Sequence, residues 1–197
     1  MALQPRYPLR SRRLSLRPLT ERDVDALVEY RSQPDACRYV PFEPMDAVTV
    51  LNRVRGPWAS TSFDKEGQAV TLGAALTDTG ELVGDVMLEW TSAAHSSGAI
   101  GYIFDPRRSG NGYATEAAHR TLHLAFDDLG LHRVLARIVA GNLASARLAQ
   151  RIGMRQEAHL VENEWFKGRW IDELVFAILE QEWRAQHIGG CPFAIES

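Results

Sequence analysis

From Asp105 to Thr115 the chain reads Asp-Pro-Arg-Arg-Ser-Gly-Asn-Gly-Tyr-Ala-Thr, where a strand-like run, Ile100 to Phe104, gives way to a helical one. Arg107 and Arg108 supply charge and forked N–H donors suited to phosphate oxygens. Gly110 and Gly112 lack Cβ atoms, so the backbone around Ser109, Asn111, Tyr113 and Ala114 can approach an oxygen cluster closely. A helix start also carries N–H groups with no partner inside the helix, and the helix dipole favours anions there. By residue type alone the stretch fits a diphosphate cradle or a solvated turn that binds nothing.

Two familiar phosphate motifs do not fit. No lysine follows the glycines, as a P-loop requires. Thr115 stands where the dinucleotide fingerprint has its third small residue, and the next strand ends in Ala140-Gly141-Asn142 instead of an acid. ATP and NAD are therefore not the expected ligands. His119 and His123 stand four apart, a spacing that suits a metal on one helix face. Arg120 replaces the glutamate of the zinc-protease motif and no third ligand is evident, so no metal is expected. Cys37 and Cys191 fit no metal or redox spacing and read as free thiols in a reducing cytoplasm.

The elements that must position these groups follow from periodicity and punctuation. Leu14, Leu16 and Leu19 alternate with polar residues and predict a strand over Arg13–Leu19. Thr20 with Asp23 resembles a capping box opening a helix that ends at Pro34, and Asp46–Val54 reads as a second helix. Ala69–Leu76 and Glu81–Trp90 form a hairpin about Asp78-Thr79-Gly80. After the Arg–Gly turn come a helix over Tyr113–Leu129, a buried strand over Arg133–Gly141 and a short helix closed by Gly153. Arg155–Leu179 reads as two strands around Trp165–Trp170. The fold class is thus α/β in the mixed, α+β sense: a mixed sheet with helices on its faces. Residues 1–183 read as one domain and 184–197 as a weakly patterned tail.

The 197 residues carry a formal charge of −3, with 45% hydrophobic and 24% charged residues. That balance is ordinary for a soluble globular protein and argues against general nucleic-acid binding. No apolar window approaches a membrane span, and the arginine-bearing N-terminus lacks the apolar stretch of a secretory signal. The expected location is cytoplasmic, with no membrane partner.

Taken together, Arg107-x-x-Gly110-x-Gly112, the following helix and strand, Asn142-x-x-Ser145 and Gly153-Met154 resemble the GNAT superfamily of acyl-CoA-dependent N-acyltransferases. The opening segment Arg12–Val40, Gly112–Ala117 and Gly168–Trp183 are similar to its ribosomal-protein N-terminal acetyltransferase branch. The resemblance spans Arg12 to Trp183. It implies a central splayed sheet of about seven strands flanked by about four helices. It also implies acetyl-CoA as acyl donor, a primary amine as acceptor, direct transfer between them, and a homodimer as a common assembly.

The same resemblance assigns roles. Backbone N–H groups from Arg108 to Ala114 would hold the coenzyme diphosphate, and the pantetheine arm would lie along Ile103 and Phe104 like an added strand. The Phe104 N–H would donate to the oxyanion. Asn142 would bond the pantetheine or cap its own helix. Ser145 would donate to the departing sulfur or serve as a cap, and Glu164 would be the base, with Glu89, Glu162 or water as alternatives. Arg151 would reach an outer phosphate or lie on a solvated helix face, and Asp172 would orient the last hairpin. Tyr39, Phe42, Trp58, Trp90, Trp165 and Trp170 would line the acceptor pocket or sit in the core. A protein N-terminal α-amine is the favoured acceptor. A small-molecule amine and a silent acyl-CoA-binding module are the other readings.

Overall fold

A computed structural model gives the protein's structure and describes residues 5–187. Its strands are β1 (Leu9–Arg10), β2 (Leu14–Pro18), β3 (Ala69–Leu76), β4 (Leu82–Ser92), β5 (Ser97–Phe104), β6 (Arg133–Val139), β7 (Arg155–Phe166) and β8 (Arg169–Leu179). They form one sheet in the order β1-β2-β3-β4-β5-β6-β8-β7. Every pairing is antiparallel except β5 with β6. The strand beyond the expected seven is the two-residue β1, too short to show a period.

The helices are α1 (Val24–Arg31), α2 (Pro34–Cys37), α3 (Ala47–Arg55), α4 (Tyr113–His123), α5 (Leu143–Arg151) and α6 (Glu180–Gln186). α2 and α6 are additional to the expected four. The helix read as Tyr113–Leu129 is α4 followed by a π-helical turn, Leu124–Asp128. The sequence places the tail at 184–197, whereas α6 runs through Arg184 to Gln186; residues 188–197 lie outside the described residues.

Local chemistry explains the joints. Asp46 accepts from the Thr49 N–H at 2.8 Å and opens α3. The Asp23 carboxylate accepts from the Thr20 N–H at 2.8 Å and hydroxyl at 2.9 Å, and Arg17 grips its two oxygens at 2.7 and 2.8 Å. The β7–β8 hairpin turns at Lys167-Gly168, both with positive φ (47° and 81°), which is the twist a two-residue hairpin needs.

Two apolar clusters lie about the sheet. The larger joins the sheet to α4, α5 and α6 and includes Val86, Leu88, Leu122, Phe126, Phe176 and Trp183. The smaller joins α1 and α3 to Leu82 and Ile103. Along β5 the side chains alternate accordingly: Ile103 enters the smaller cluster, while Tyr102 and Phe104 pack on the larger. Behind the smaller cluster sits a buried ion pair. Arg31 Nη2 lies 2.7 Å from Asp85 Oδ1, the Tyr30 hydroxyl donates to Asp85 Oδ2 at 2.6 Å, and the guanidinium stacks on Trp58 and Phe42.

α6 docks on α4 and the π-helical turn through Trp183, which is buried and stacks on Phe126 with ring centres 5.7 Å apart. The docking brings His187 to His119 and His123, a third histidine that no local spacing relates to the first two. Burial holds the His119 ring at about 3, well below its ordinary value, so it is neutral.

Candidate active site

β5 and β6 run parallel for only three pairs, Ser97↔Arg133, Gly98↔Val134 and Ala99↔Leu135. Beyond Ala99 the strands part, and the remainder of β5 keeps only β4 as a neighbour. The parting opens a cavity of about 570 Å³. Its wall comes from the open edge of β5 (Tyr102, Ile103, Phe104), the Arg–Gly turn, the start of α4 and the first turn of α5 with Asn142 and Ser145. Asp35, Tyr39 and Val40, from α2 and the segment after it, line the same cavity.

The turn is built to leave donors free. Asp105 accepts from the Arg107 N–H at 2.9 Å, and the N–H groups of Arg108 and Ser109 fold back onto Asp105 O and Pro106 O at 2.9 and 3.1 Å. From Gly110 to Thr115 no backbone N–H has a hydrogen-bond acceptor among the described residues; the next, Glu116, bonds Gly112 O at 3.0 Å. Gly110 and Gly112 hold φ of 83° and 79°, the left-handed region where a side chain is strained. The available run is therefore Gly110–Thr115. It is not the expected Arg108–Ala114, because a short 3₁₀ turn consumes the first two N–H groups.

Of the two arginines, Arg108 lines the cavity and pairs with Glu81. Arg107 does not line it. Its guanidinium is held by Asp105, with Nη2 at 2.6 Å, and by Glu29 at 2.5 Å. Those bonds keep the Asp105 carboxyl below the ordinary range. Asn111 is also outside the lining; its Nδ2 donates to Arg108 O at 3.0 Å, and its own carbonyl accepts from Arg13 Nη1 at 2.9 Å. Both residues shape the turn from behind. Arg13 is in turn fixed by the fully buried Glu116, which accepts from its N–H at 2.7 Å and its Nε at 2.8 Å and also from Ser11 Oγ at 2.8 Å.

The Asp105 N–H points to Val83 O on β4 at 3.0 Å. Successive N–H groups along a strand face opposite edges, so that of Phe104 faces the slot. Asn142 Oδ1 accepts from the Ser145 N–H at 3.2 Å and thus caps α5 itself. The Ser145 carbonyl accepts from the Tyr102 hydroxyl at 3.2 Å, and burial pushes that phenol up to about 12. The Ser145 hydroxyl has no protein partner among the described residues. Arg151 lines the cavity, its Nε 3.4 Å from Thr115 Oγ1.

The carboxylates fall differently. Glu164 is exposed on β7 opposite Ile171 and is not part of the cavity wall; burial against Trp165 and Phe166 is absent. Trp165 and Trp170 stand out at 60% and 55% exposure, edge to face. Glu162 and Glu89 are likewise outside the wall. Asp172 accepts from the Glu162 N–H at 3.0 Å and lies 2.7 Å from His159 Nε2, pinning the irregularity between Leu160 and Glu164 in the last hairpin. Asp35 is the carboxylate that sequence reasoning missed: it has no motif, and only the fold of α2 over the slot gives it a place.

Comparison with known proteins places this architecture. A family model described as an acetyltransferase (GNAT) domain matches residues 13–155. The uncharacterized N-acetyltransferase YnaD of Bacillus subtilis (strain 168) is 31% identical over 176 residues, covering 88% of this chain and 97% of that protein. A second protein of that strain, named "Putative ribosomal N-acetyltransferase YdaF", is 25% identical over 177 residues, covering 88% and 94%. The crystal structure of a GNAT-family acetyltransferase from Bacillus anthracis superposes with a TM-score of 0.78 at 29% identity, covering 92% of this chain and 99% of that one.

Proposed function

The chain belongs to the GNAT acetyltransferase family and is an acyl-CoA-dependent acetyltransferase, and from that premise we propose that its acceptor is a protein N-terminal α-amine. The observation that carries the reading is the charge of the cavity wall. Its carboxylates are Asp35 and Asp105, and Asp105 is bound to Arg107, which leaves Asp35 to meet an ammonium group. One available carboxylate suits an acceptor with one positive charge; a polyamine would ask for several. The likeness to YdaF, whose name gives it a ribosomal acceptor, supports the same class.

The site fits the donor by its unpartnered N–H run. The amides of Gly110–Thr115, at the positive end of α4, would hold the diphosphate, with Arg108 and Arg151 adjacent. The open edge of β5 would take the amide arm, and the Phe104 N–H would donate to the thioester oxygen as charge builds there. When bound, acetyl-CoA supplies the activated acyl group. Asn142 would orient the arm through Nδ2, since Oδ1 is spent on the cap. The Ser145 hydroxyl would donate to the sulfur as the C–S bond breaks. Glu164 would accept the proton that the attacking amine sheds, with Asp35 the competing acceptor.

The reading is tested by offering acetyl-CoA with three acceptors: peptides with free N-termini, N-blocked peptides bearing one lysine, and spermidine. Acetylation of the free α-amine, located by mass spectrometry, is the expected result. Turnover with spermidine alone would overturn the acceptor assignment.

A further inference from the structure

α4 and α6 meet at a place the acetyl-transfer site does not use. His119 and His123 stand one turn apart on α4, and His187 follows the last residue of α6. Their ligand-capable atoms lie within 4.8 Å of one another, and His119 Nε2 is 2.8 Å from His187 Nε2. Among the described residues this is the group of His, Cys or acidic side chains that could share an ion.

Ring nitrogens are set by what they touch. His187 Nδ1 is 2.7 Å from the Trp183 carbonyl, which can only accept, so Nδ1 carries the proton and Nε2 the lone pair. His123 Nδ1 is 2.7 Å from Asp127 Oδ2, with the same consequence. An imidazole whose far nitrogen donates to a carboxylate or carbonyl is the arrangement that orients histidine toward a metal.

The rings also have the right separation. An ion about 2.0 Å from each nitrogen lies about 3.2 Å from each ring centre, and tetrahedral angles then put the ring centres about 5.2 Å apart. The three observed separations are 5.3, 4.9 and 5.5 Å, with interplanar angles of 68°, 55° and 63°. The rings are mutually tilted instead of lying parallel. To admit the ion the His119–His187 nitrogens, 2.8 Å apart, would part by about half an ångström, and the His123 nitrogen, within 4.8 Å of the others, would close by up to about 1.5 Å.

We propose that His119, His123 and His187 form a site for a first-row divalent transition metal ion, zinc foremost. The donor set is three imidazole nitrogens, which suits zinc, nickel and copper; magnesium and calcium require oxygen ligands. The ion joins α6 to α4, whose other end carries the unpartnered N–H run. His119 changes tautomer on binding, its proton moving to Nδ1. The site is a structural clamp: it lies outside the acetyl-transfer cavity, and no step of that reaction passes through it.

The test uses the full chain without a histidine tag, first dialysed against a chelator. Titration with zinc against a chromophoric competitor should give one equivalent bound, and the melting temperature should rise with zinc and not with magnesium. Cobalt should give the visible absorption of a tetrahedral site. His187→Gln and His123→Gln should each weaken zinc binding at least 30-fold, and Asp127→Asn about tenfold. Both histidine variants should keep the wild-type circular dichroism and coenzyme A affinity, which separates loss of the ion from loss of the fold or of the acetyl-transfer site. Equal zinc affinity in His187→Gln and wild type, or a colourless cobalt complex, would overturn the proposal.

Discussion

The Tyr102 hydroxyl donates to the Ser145 carbonyl across 3.2 Å, tying the open edge of β5 to the first turn of α5 over the slot. This is a tie between the two walls. Tyr102→Phe removes it and should cost about 1 kcal/mol of stability, the typical worth of one hydrogen bond, measured by denaturant unfolding. The affinity for acetyl-CoA should fall several-fold by calorimetry. Because the phenol is pushed up to about 12, the alkaline limb of the wild-type pH–rate profile should be unchanged in the variant below pH 10.

Gly112 holds φ at 79°, and a Cβ there would meet only Arg13 Nη2 at 3.5 Å. Space is available, so the penalty is conformational. Gly112→Ala should lower stability by about 1 kcal/mol, while Gly112→Glu should also lower coenzyme A affinity at least about 100-fold by setting a carboxylate among anion-binding N–H groups. Wild-type affinity in Gly112→Glu would remove the cradle from the mechanism.

Glu116 is buried and holds Arg13, which holds the carbonyl of Asn111. Glu116→Gln leaves the exposed Arg13 guanidinium without its counter-charge and replaces one of the buried accepting oxygens by an amide NH2. The expected loss is about 1–2 kcal/mol in thermal or chemical unfolding, with weaker coenzyme binding because the turn loses its backing.

The base is decided by two variants. Glu164→Gln should lower kcat, with the coenzyme dissociation constant unchanged. If Asp35→Asn produces that loss and Glu164→Gln does not, the role passes to Asp35 on the cavity wall.

Arg107 holds the Asp105 carboxyl below its ordinary range, so the folded state keeps this carboxylate ionised at a pH where the unfolded chain protonates it. The unfolded state then binds more protons, and the contribution to stability is complete above the unfolded carboxylate range and lost as pH falls through the lower folded value. Coenzyme affinity should hold at pH 5 and decline only below the ordinary aspartate range, where the folded carboxyl takes up its proton. Asp105→Asn should be weaker at neutral pH and flatter on the acid side, as followed by ligand-dependent thermal shifts.

Local rules carried much of the reading. The glycine turn, both hairpins, the Asn142 cap and the succession of elements along the chain were legible, because periodicity, turn residues and caps act over a few residues. What was not legible depends on distant partners. Nothing near Arg107 signals that Glu29 would draw it from the cavity wall, and Tyr102 and Ser145 belong to separate periodic segments. Asp35 and His187 gain meaning only from the packing of α2 and α6. The neighbours of Glu164 in sequence suggest an apolar setting, yet Trp165 itself stands 60% exposed near the tip of the last hairpin, and Glu164 lies in water beside it.

The three-pair joint between β5 and β6 makes the slot a wedge. From Ala99 to Phe104 the edge of β5 that faces it extends about 17 Å, so each degree of divergence between the two strands widens the mouth by about 0.3 Å. At the apex, a Cβ on Gly98 would press against Glu89 O and Leu131 Cδ1, both at 2.7 Å. The aperture that admits a thioester at one end of the strand is thus gauged by the girth of a single residue at the other.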